Sequence, residues 1–203
     1  MSNLFKKVAC FTDIHFGLKS NSHIHNQDCE DFVDWYIAKA KEEGCDVGIF
    51  MGDWHHNRNS LNITTMDYSL RALEKLGQAF DAFYFFPGNH DLYYKDKRDI
   101  HSVEFGKYIP GITIVHHPTT IGNVTLCPWL VHDEWKQIGK RLFVVARGAS
   151  QNIRGAKFPP SSTHCGFLAR RRNDAMCVKK CKGFSLLLYP LHLIFTFYRF
   201  KGF

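Results

Sequence analysis

The sequence predicts an α/β fold built on a parallel sheet, and two observations carry that prediction. Three short apolar runs recur about 40 residues apart, and each leads into a polar cluster. The clusters are Asp13-Ile14-His15, Gly52-Asp53-Trp54-His55-His56-Asn57-Arg58 and Gly88-Asn89-His90-Asp91. Between the runs lie two segments whose apolar residues fall at helical spacing. The order strand, helix, strand, helix, strand favours parallel strands joined by crossover helices.

The first strand is Val8-Ala9-Cys10-Phe11-Thr12, the second Asp46-Val47-Gly48-Ile49-Phe50-Met51, and the third Ala82-Phe83-Tyr84-Phe85-Phe86. Each is short, β-branched or aromatic, and nearly continuous in apolar character, as expected of strands buried on both faces. In the first helical segment Val33, Tyr36, Ile37 and Ala40 share one face, and Gly44 supplies a stop. In the second, Leu70, Leu73, Leu76 and Phe80 repeat similarly, and Thr64 with Asp67 resembles a capping box. A third helical piece after Asp91 is less clear. Thr113-Ile114-Val115-His116 and Asn123-Val124-Thr125-Leu126-Cys127 read as two further strands, with residues 117–122 between them.

The polar clusters carry the chemistry. Ligands of open α/β sheets bind at the C-terminal ends of the strands, and Asp, His and Asn are ligands for hard or borderline divalent metals. In an Asp-x-His pair at a strand end the two side chains share a face, so Asp13 and His15 can bind one ion. Asp53 follows a glycine, which permits a tight turn, and its two oxygens make it the candidate bridge between two ions. Asn89 offers a neutral carbonyl oxygen. His90 can protonate a leaving group or steady phosphoryl oxygens, and Asp91 can orient His90 through a hydrogen bond. His55 and His56 read either as groups near the site or as exposed loop histidines. Tyr93 and Tyr94 suit base stacking and ordinary packing equally, whereas Phe83 to Phe86 read as core.

The pattern D-x-H, G-D-x-x-x-x-R ending at Arg58, and G-N-H-D resembles the first three motifs of the calcineurin-like metallophosphoesterase superfamily. Phe11-Thr12-Asp13-Ile14-His15-Phe16-Gly17, Gly88-Asn89-His90-Asp91-Leu92-Tyr93-Tyr94-Lys95, Pro118-Thr119-Thr120 and Pro128-Trp129 are similar to the SbcD-type subunit of recombination exonucleases in bacteria and tailed phages. The resemblance covers roughly residues 5–135. It implies a metallophosphoesterase-type α/β/β/α sandwich and two divalent metal ions, manganese (Mn2+) in this branch. Asp13 and His15 would hold the first ion, Asp53 bridge, Asn89 hold the second, and His90 act as the catalytic group beside Asp91. Arg58 and His56 would face substrate, although His56 stands where many members have Asp. The implied activity is metal-dependent hydrolysis of DNA phosphodiesters, exonuclease and endonuclease, in recombination or repair. The implied partners are DNA, an SMC-like ABC ATPase and a second copy in a homodimer. Another phosphoesterase acting on nucleotides or phosphoproteins, or a non-catalytic remnant, stays open on these three motifs alone.

The superfamily completes its site with a Gly-His motif and a later Gly-His-x-His motif. This chain contains no Gly-His dipeptide; after Pro128-Trp129 only His132, His164 and His192 remain. The second metal shell is therefore expected to be incomplete. Composition changes in the same region. Residues 1–140 hold fourteen Lys and Arg against eighteen Asp and Glu, whereas residues 141–203 hold twelve against the single Asp174. The expected organisation is a truncated catalytic domain over 1–140 and an atypical basic tail over 141–203, possible as an out-of-frame or disordered segment starting near Gly139–Arg141. A genuine basic extension gripping phosphates through Arg170-Arg171-Arg172 and aromatic residues, or a zinc site from His164, Cys165, Cys177 and Cys181, are the competing readings.

Seven cysteines and the opening Met1-Ser2-Asn3-Leu4-Phe5-Lys6-Lys7, which does not read as a signal peptide, favour a reduced cytoplasmic setting, the host's if the chain is phage-encoded. Cys10, Cys29, Cys45 and Cys127 read as small packing residues. The apolar stretch from Ser185 to Tyr198 is interrupted by Pro190 and is too short for a spanning helix, so no membrane association is expected.

Overall fold

In a computed structural model the described residues are 7–121, 124–132 and 134, together with the backbone of strands at 142–145, 167–169, 185–188 and 193–199. Four parallel strands begin the first sheet: β1 (Lys7–Thr12), β2 (Val47–Phe50), β3 (Ala82–Phe85) and β4 (Ile112–Ile114). The second sheet contains β5 (Thr119–Ile121), β6 (Val124–Cys127), β7 (Leu142–Val145) and β8 (Phe167–Ala169). Its order is β5-β6-β7-β8. The last two strands, β9 (Ser185–Leu188) and β10 (Leu193–Arg199), return to the first sheet. Its order is then β4-β3-β2-β1-β10-β9, with β10 parallel to β1 and β9 antiparallel to β10. Outside these strands the basic segment, with Arg170 to Arg172, His164, Cys165, Cys177 and Cys181, lies outside the described residues.

Period-two alternation sorts the central strands between two cores. After a short turn, α1 (Leu18–Asn21), come helices α2 (His23–Glu42) and α3 (Ile63–Ala79); Ala9, Phe11, Phe50, Phe83 and Phe85 face α2 and α3, where Val33, Tyr36, Leu73 and Leu76 are also buried. Val8, Cys10, Val47, Ile49, Met51, Tyr84 and Phe86 face the second sheet through Val124 and Leu126. The layers are thus helix, sheet and sheet, an α/β fold of the expected type; a second helical layer does not occur among the described residues. A Cβ at Gly48 would lie 2.5 Å from the Phe83 ring, so the absence of a side chain there lets the ring cover the backbone.

Local chemistry fixes the helix ends. Past the end of α2, Gly44 adopts φ 67°, Cys45 N–H donates to Ala40 O and Gly44 N–H to Lys41 O, a Schellman stop. The capping box expected at Thr64 is not used. Asn62 is the cap, its side-chain oxygen accepting from Thr64 N at 2.9 Å and Thr65 N at 3.4 Å, because the helix begins at Ile63. The third helical piece is a 3-10 turn, η1 (Glu104–Tyr108), and part of the segment expected to be connector is strand β5, paired antiparallel with β6. Between α2 and α3, buried Glu30 receives Arg71 through two nitrogens and Lys75 at 3.0 Å.

Beyond the strand ends the chain remains zipped. Asp13 N–H donates to Gly52 O, His15 N–H to Asp53 O, Phe16 N–H to Trp54 O and His56 N–H to Phe16 O. Underneath, the buried Asp91 carboxylate accepts from four amides: Gly88 at 2.8 Å, His55 at 2.9 Å, and Asp53 and Trp54 at 3.0 Å. Asp91 was expected to orient His90; instead its oxygens bind backbone, and it acts on the site by holding the second and third loops together. His55 is also structural rather than an exposed loop residue. It is fully buried, with Nδ1 2.8 Å from Ser102 Oγ and Nε2 2.9 Å from Ser69 Oγ. Burial lowers its pKa to about 3.

Replacing Asp91 by Ala leaves four buried amides without their acceptor, so denaturant titration should show a loss of roughly 3–5 kcal/mol or no folded protein. A loss below about 1 kcal/mol would show that the clamp does not hold the loops. His55 gives a pH signature. Its folded pKa lies below the value of about 6.5 in an unfolded chain, so on acidification the unfolded state takes up the proton first. Its contribution is complete above about 6.5 and is lost as pH falls toward about 3. In His55→Gln, the slope of stability against pH in that window should shrink by about 1.4 kcal/mol per pH unit, one proton's worth; an unchanged slope would contradict the assignment.

Candidate metal centre

Asp13, His15 and Asp53 share an unusual backbone. Their φ angles are 64°, 54° and 66°, in the left-handed region that non-glycine residues rarely adopt. Such conformations cost free energy and persist where the surroundings dictate them. Here the dictating contacts are the zipped loops and the Asp91 clamp. Two motif glycines allow the approach. A Cβ on Gly88 would lie 2.3 Å from Asp53 N and 2.4 Å from Asp53 Oδ1, and one on Gly52 would lie 2.9 Å from Gly88 Cα. The second and third loops therefore touch backbone to backbone, which no larger residue permits at Gly88.

The outcome is two overlapping groups of ligand atoms. Those of Asp13, His15 and Asp53 lie within 4.8 Å of one another, and so do those of His15, His56 and His90. His15 Nε2 is 3.6 Å from Asp13 Oδ1. The His15 ring stands edge-on to His90 with centroids 5.0 Å apart, and His56 stacks on His90 at 5.8 Å. Burial, followed by the neighbouring His15 and His90, lowers the His56 pKa from its ordinary value. His90 is held twice: its N–H donates to Asp53 Oδ1 at 3.1 Å, and its Nδ1 lies 3.2 Å from the His56 carbonyl. A carbonyl has no proton to give, so Nδ1 carries the hydrogen and the neutral ring leaves Nε2 as its acceptor.

These residues fit a divalent cation. The buried Nδ1 atoms of His15 and His56 make no hydrogen bond among the described residues. Carboxylates and neutral imidazoles together are donors for borderline divalent ions. His56 thus stands with the site, not as an exposed loop residue, and adds an imidazole beyond the four expected ligands. Asn89 is half-buried in the Gly88–Asp91 turn, where Asp91 N–H donates to Gly88 O. Its backbone reaches the rim; no side-chain bond to Asp13, His15 or Asp53 is made among the described residues. Arg58 is half-buried on the second loop, with no ion pair among the described residues.

Support residues were not singled out in the sequence. His25 Nε2 lies 3.1 Å from the His15 carbonyl, and buried Asn26 accepts from Gly17 N–H while donating to Thr65 Oγ1. Trp54 Nε1 donates to Ser69 Oγ at 2.7 Å. The only advance signal for His25 and Asn26 is their place at the start of a helix that faces the first loop. A further group, His101, Glu104 and His116, also lies within 4.8 Å; its His-x-x-Glu spacing is visible in the sequence, but its third member is remote.

Exonuclease subunit 1 of Enterobacteria phage T4 is 25% identical over 137 residues, 65% of this chain and 40% of that protein. The match therefore spans less than half the length of that relative. The nuclease MPE of Pseudomonas putida is a structural neighbour with a TM-score of 0.41 and 20% identity, covering 62% of this chain and 56% of that one. The model of the calcineurin-like phosphoesterase family matches residues 6–173. With its three metal-type loops at the strand ends and this match over most of its length, the chain belongs to the calcineurin-like phosphoesterase family, whose members are metal-dependent hydrolases.

Proposed function

We propose that this chain hydrolyses DNA phosphodiesters as the nuclease subunit of a recombination or repair complex, with two divalent ions, manganese by preference. The observation that carries the reading is the convergence of Asp13, His15 and Asp53 on left-handed backbone, with His56 and His90 alongside. The name of the T4 relative supports the choice of a nuclease over other phosphoesterases. An SMC-like ABC ATPase partner and a homodimer belong to the same reading. No helix among the described residues is long and apolar enough to cross a membrane.

Asp13 and His15 would hold the first ion, Asp53 would bridge, and Asn89 would approach the second, with His56 as an additional imidazole. Bound divalent ions supply Lewis acidity and lower the pKa of water. The chain's own groups do the rest. His90, locked by the Asp53 and His56 contacts, presents Nε2 to the reacting phosphate, where in its protonated form it gives a proton to the leaving oxygen. Arg58 supplies a cation for phosphate on the same loop as Asp53.

Hydrolysis of double-stranded DNA and of a simple aryl phosphodiester should require Mn2+ and stop on chelation. His90→Ala should slow both by roughly a hundredfold or more, the scale of losing an acid or phosphate-stabilising group, while leaving Mn2+ binding in place. A rate unchanged by His90→Ala rejects the assigned role. Turnover of nucleotide monoesters or phosphopeptides without DNA cleavage would instead select another phosphoesterase.

A further inference from the structure

The connection between the third motif and the second sheet carries another convergence of ligand atoms. His101 Nε2 lies 2.7 Å from Glu104 Oε2 and 3.4 Å from His116 Nδ1, and Glu104 Oε2 lies 3.8 Å from His116 Nε2. The two rings sit 5.2 Å apart. Lys107 occupies the other carboxylate oxygen, with Nζ 2.6 Å from Oε1, so Oε2 is the atom turned toward both imidazoles. His101 is only 5% exposed. Its buried Nδ1 makes no hydrogen bond among the described residues.

Hydrogen bonding alone satisfies this arrangement poorly. A neutral His101 carries one proton. With the proton on Nε2, Glu104 is served and the His116 nitrogen 3.4 Å away is not; with it on Nδ1, the Nε2 lone pair faces Oε2 at 2.7 Å and is repelled unless a cation lies between them. A cation between the three atoms uses the Nε2 lone pair, the His116 nitrogen and Oε2 together. On their open side Glu104 and His116 line a cavity of ≈ 380 Å³, shared with Arg98, His117, His132 and Glu134. Three protein ligands, two of them on the cavity wall and His101 buried behind them, match the pattern of a zinc-type site with an open position. Two imidazoles and one carboxylate suit a borderline ion better than calcium or magnesium.

We propose that His101, Glu104 and His116 form a binding site for one borderline divalent cation of the zinc class, separate from the Asp13–His15–Asp53 centre. The ion ties η1 to the segment after β4 and presents an open position to the cavity.

The test uses cobalt(II) as the probe, with the full chain carrying Asp13→Asn to weaken the first centre. Visible absorption and equilibrium titration should report one bound cobalt with the strong bands of a low-coordinate nitrogen and oxygen site. Adding Glu104→Gln or His116→Ala should abolish the bands and weaken cobalt binding at least about tenfold, since even outer partners of metal ligands contribute that much. Far-ultraviolet circular dichroism of the metal-free variants should be unchanged; Glu104→Gln, nearly isosteric and partly exposed, guards against misfolding. Zinc should also raise the melting temperature of the Asp13→Asn chain, and not that of the double variants. Identical cobalt affinity with and without Glu104→Gln, or no cobalt absorption in the Asp13→Asn chain, would overturn the site and leave an ion-pair cluster only. Neither result depends on DNA hydrolysis, so it is distinguishable from failure of the nuclease reading.

Discussion

A single buried carboxylate organises the rim that carries the candidate ligands. Asp91 collects the buried amides of Gly88, Asp53, Trp54 and His55. Amides converging in this way form an anion nest, and here the anion is supplied from within the chain. Burial, and then the nearby Asp53 charge, raise the Asp91 pKa to about 7, while the backbone bonds oppose both. Asp53 therefore lies close enough to disfavour a second charge at Asp91.

The clamp works because what surrounds it is rigid. Trp54 follows Asp53 directly and is locked by Phe16, Phe50 and Phe85, with ring centroids 5.0, 5.1 and 5.4 Å away. Its indole N–H is bonded to Ser69 on α3. The backbone at Asp53 thus cannot relax from its left-handed angle without dislodging an aromatic core residue. Asp13 and His15 are fixed less directly, through their amide bonds to Gly52 and Asp53 and through Asn26 holding the turn at Gly17. Strain at three ligands is sustained by packing around one of them.

The parts legible in the sequence were those with a period or a dipeptide behind them. The nearly continuous apolar runs of β1, β2 and β3, the face of α2 and the Gly44 stop follow from local preferences, and the structure has them in place. So does the gathering of Asp13, His15, Asp53 and His90. The role of Asp91 was not legible, because nothing local distinguishes a carboxylate that orients a histidine from one that binds amides more than thirty residues away. His55 and His56 were equally indistinguishable in sequence. One side chain points into the core between Ser69 and Ser102, the next toward His15 and His90, and adjacency along the chain does not determine which. Strand β5 was missed for another reason: its Thr-Thr-Ile run is short and exposed, and it becomes a strand only through pairing with β6.

The catalytic rim and the His101 cluster are mechanically joined. Ser102 N–H donates to the Asp91 carbonyl at 2.8 Å, and its hydroxyl lies 2.8 Å from His55 Nδ1. Leu92 forms a bridge with His101. The residue beside His101 therefore touches both the backbone of the clamp and the buried histidine below it. On the far side of the cluster, buried Arg98 binds the carbonyls of His116 and Trp129 and pairs with Glu134, tying the connector to the chain that leaves the second sheet. Any group that stiffens His101, Glu104 and His116 consequently stiffens the wall on which Asp91 rests. The geometry of Asp13, His15, Asp53, His56 and His90 depends on how little the loops beneath them move.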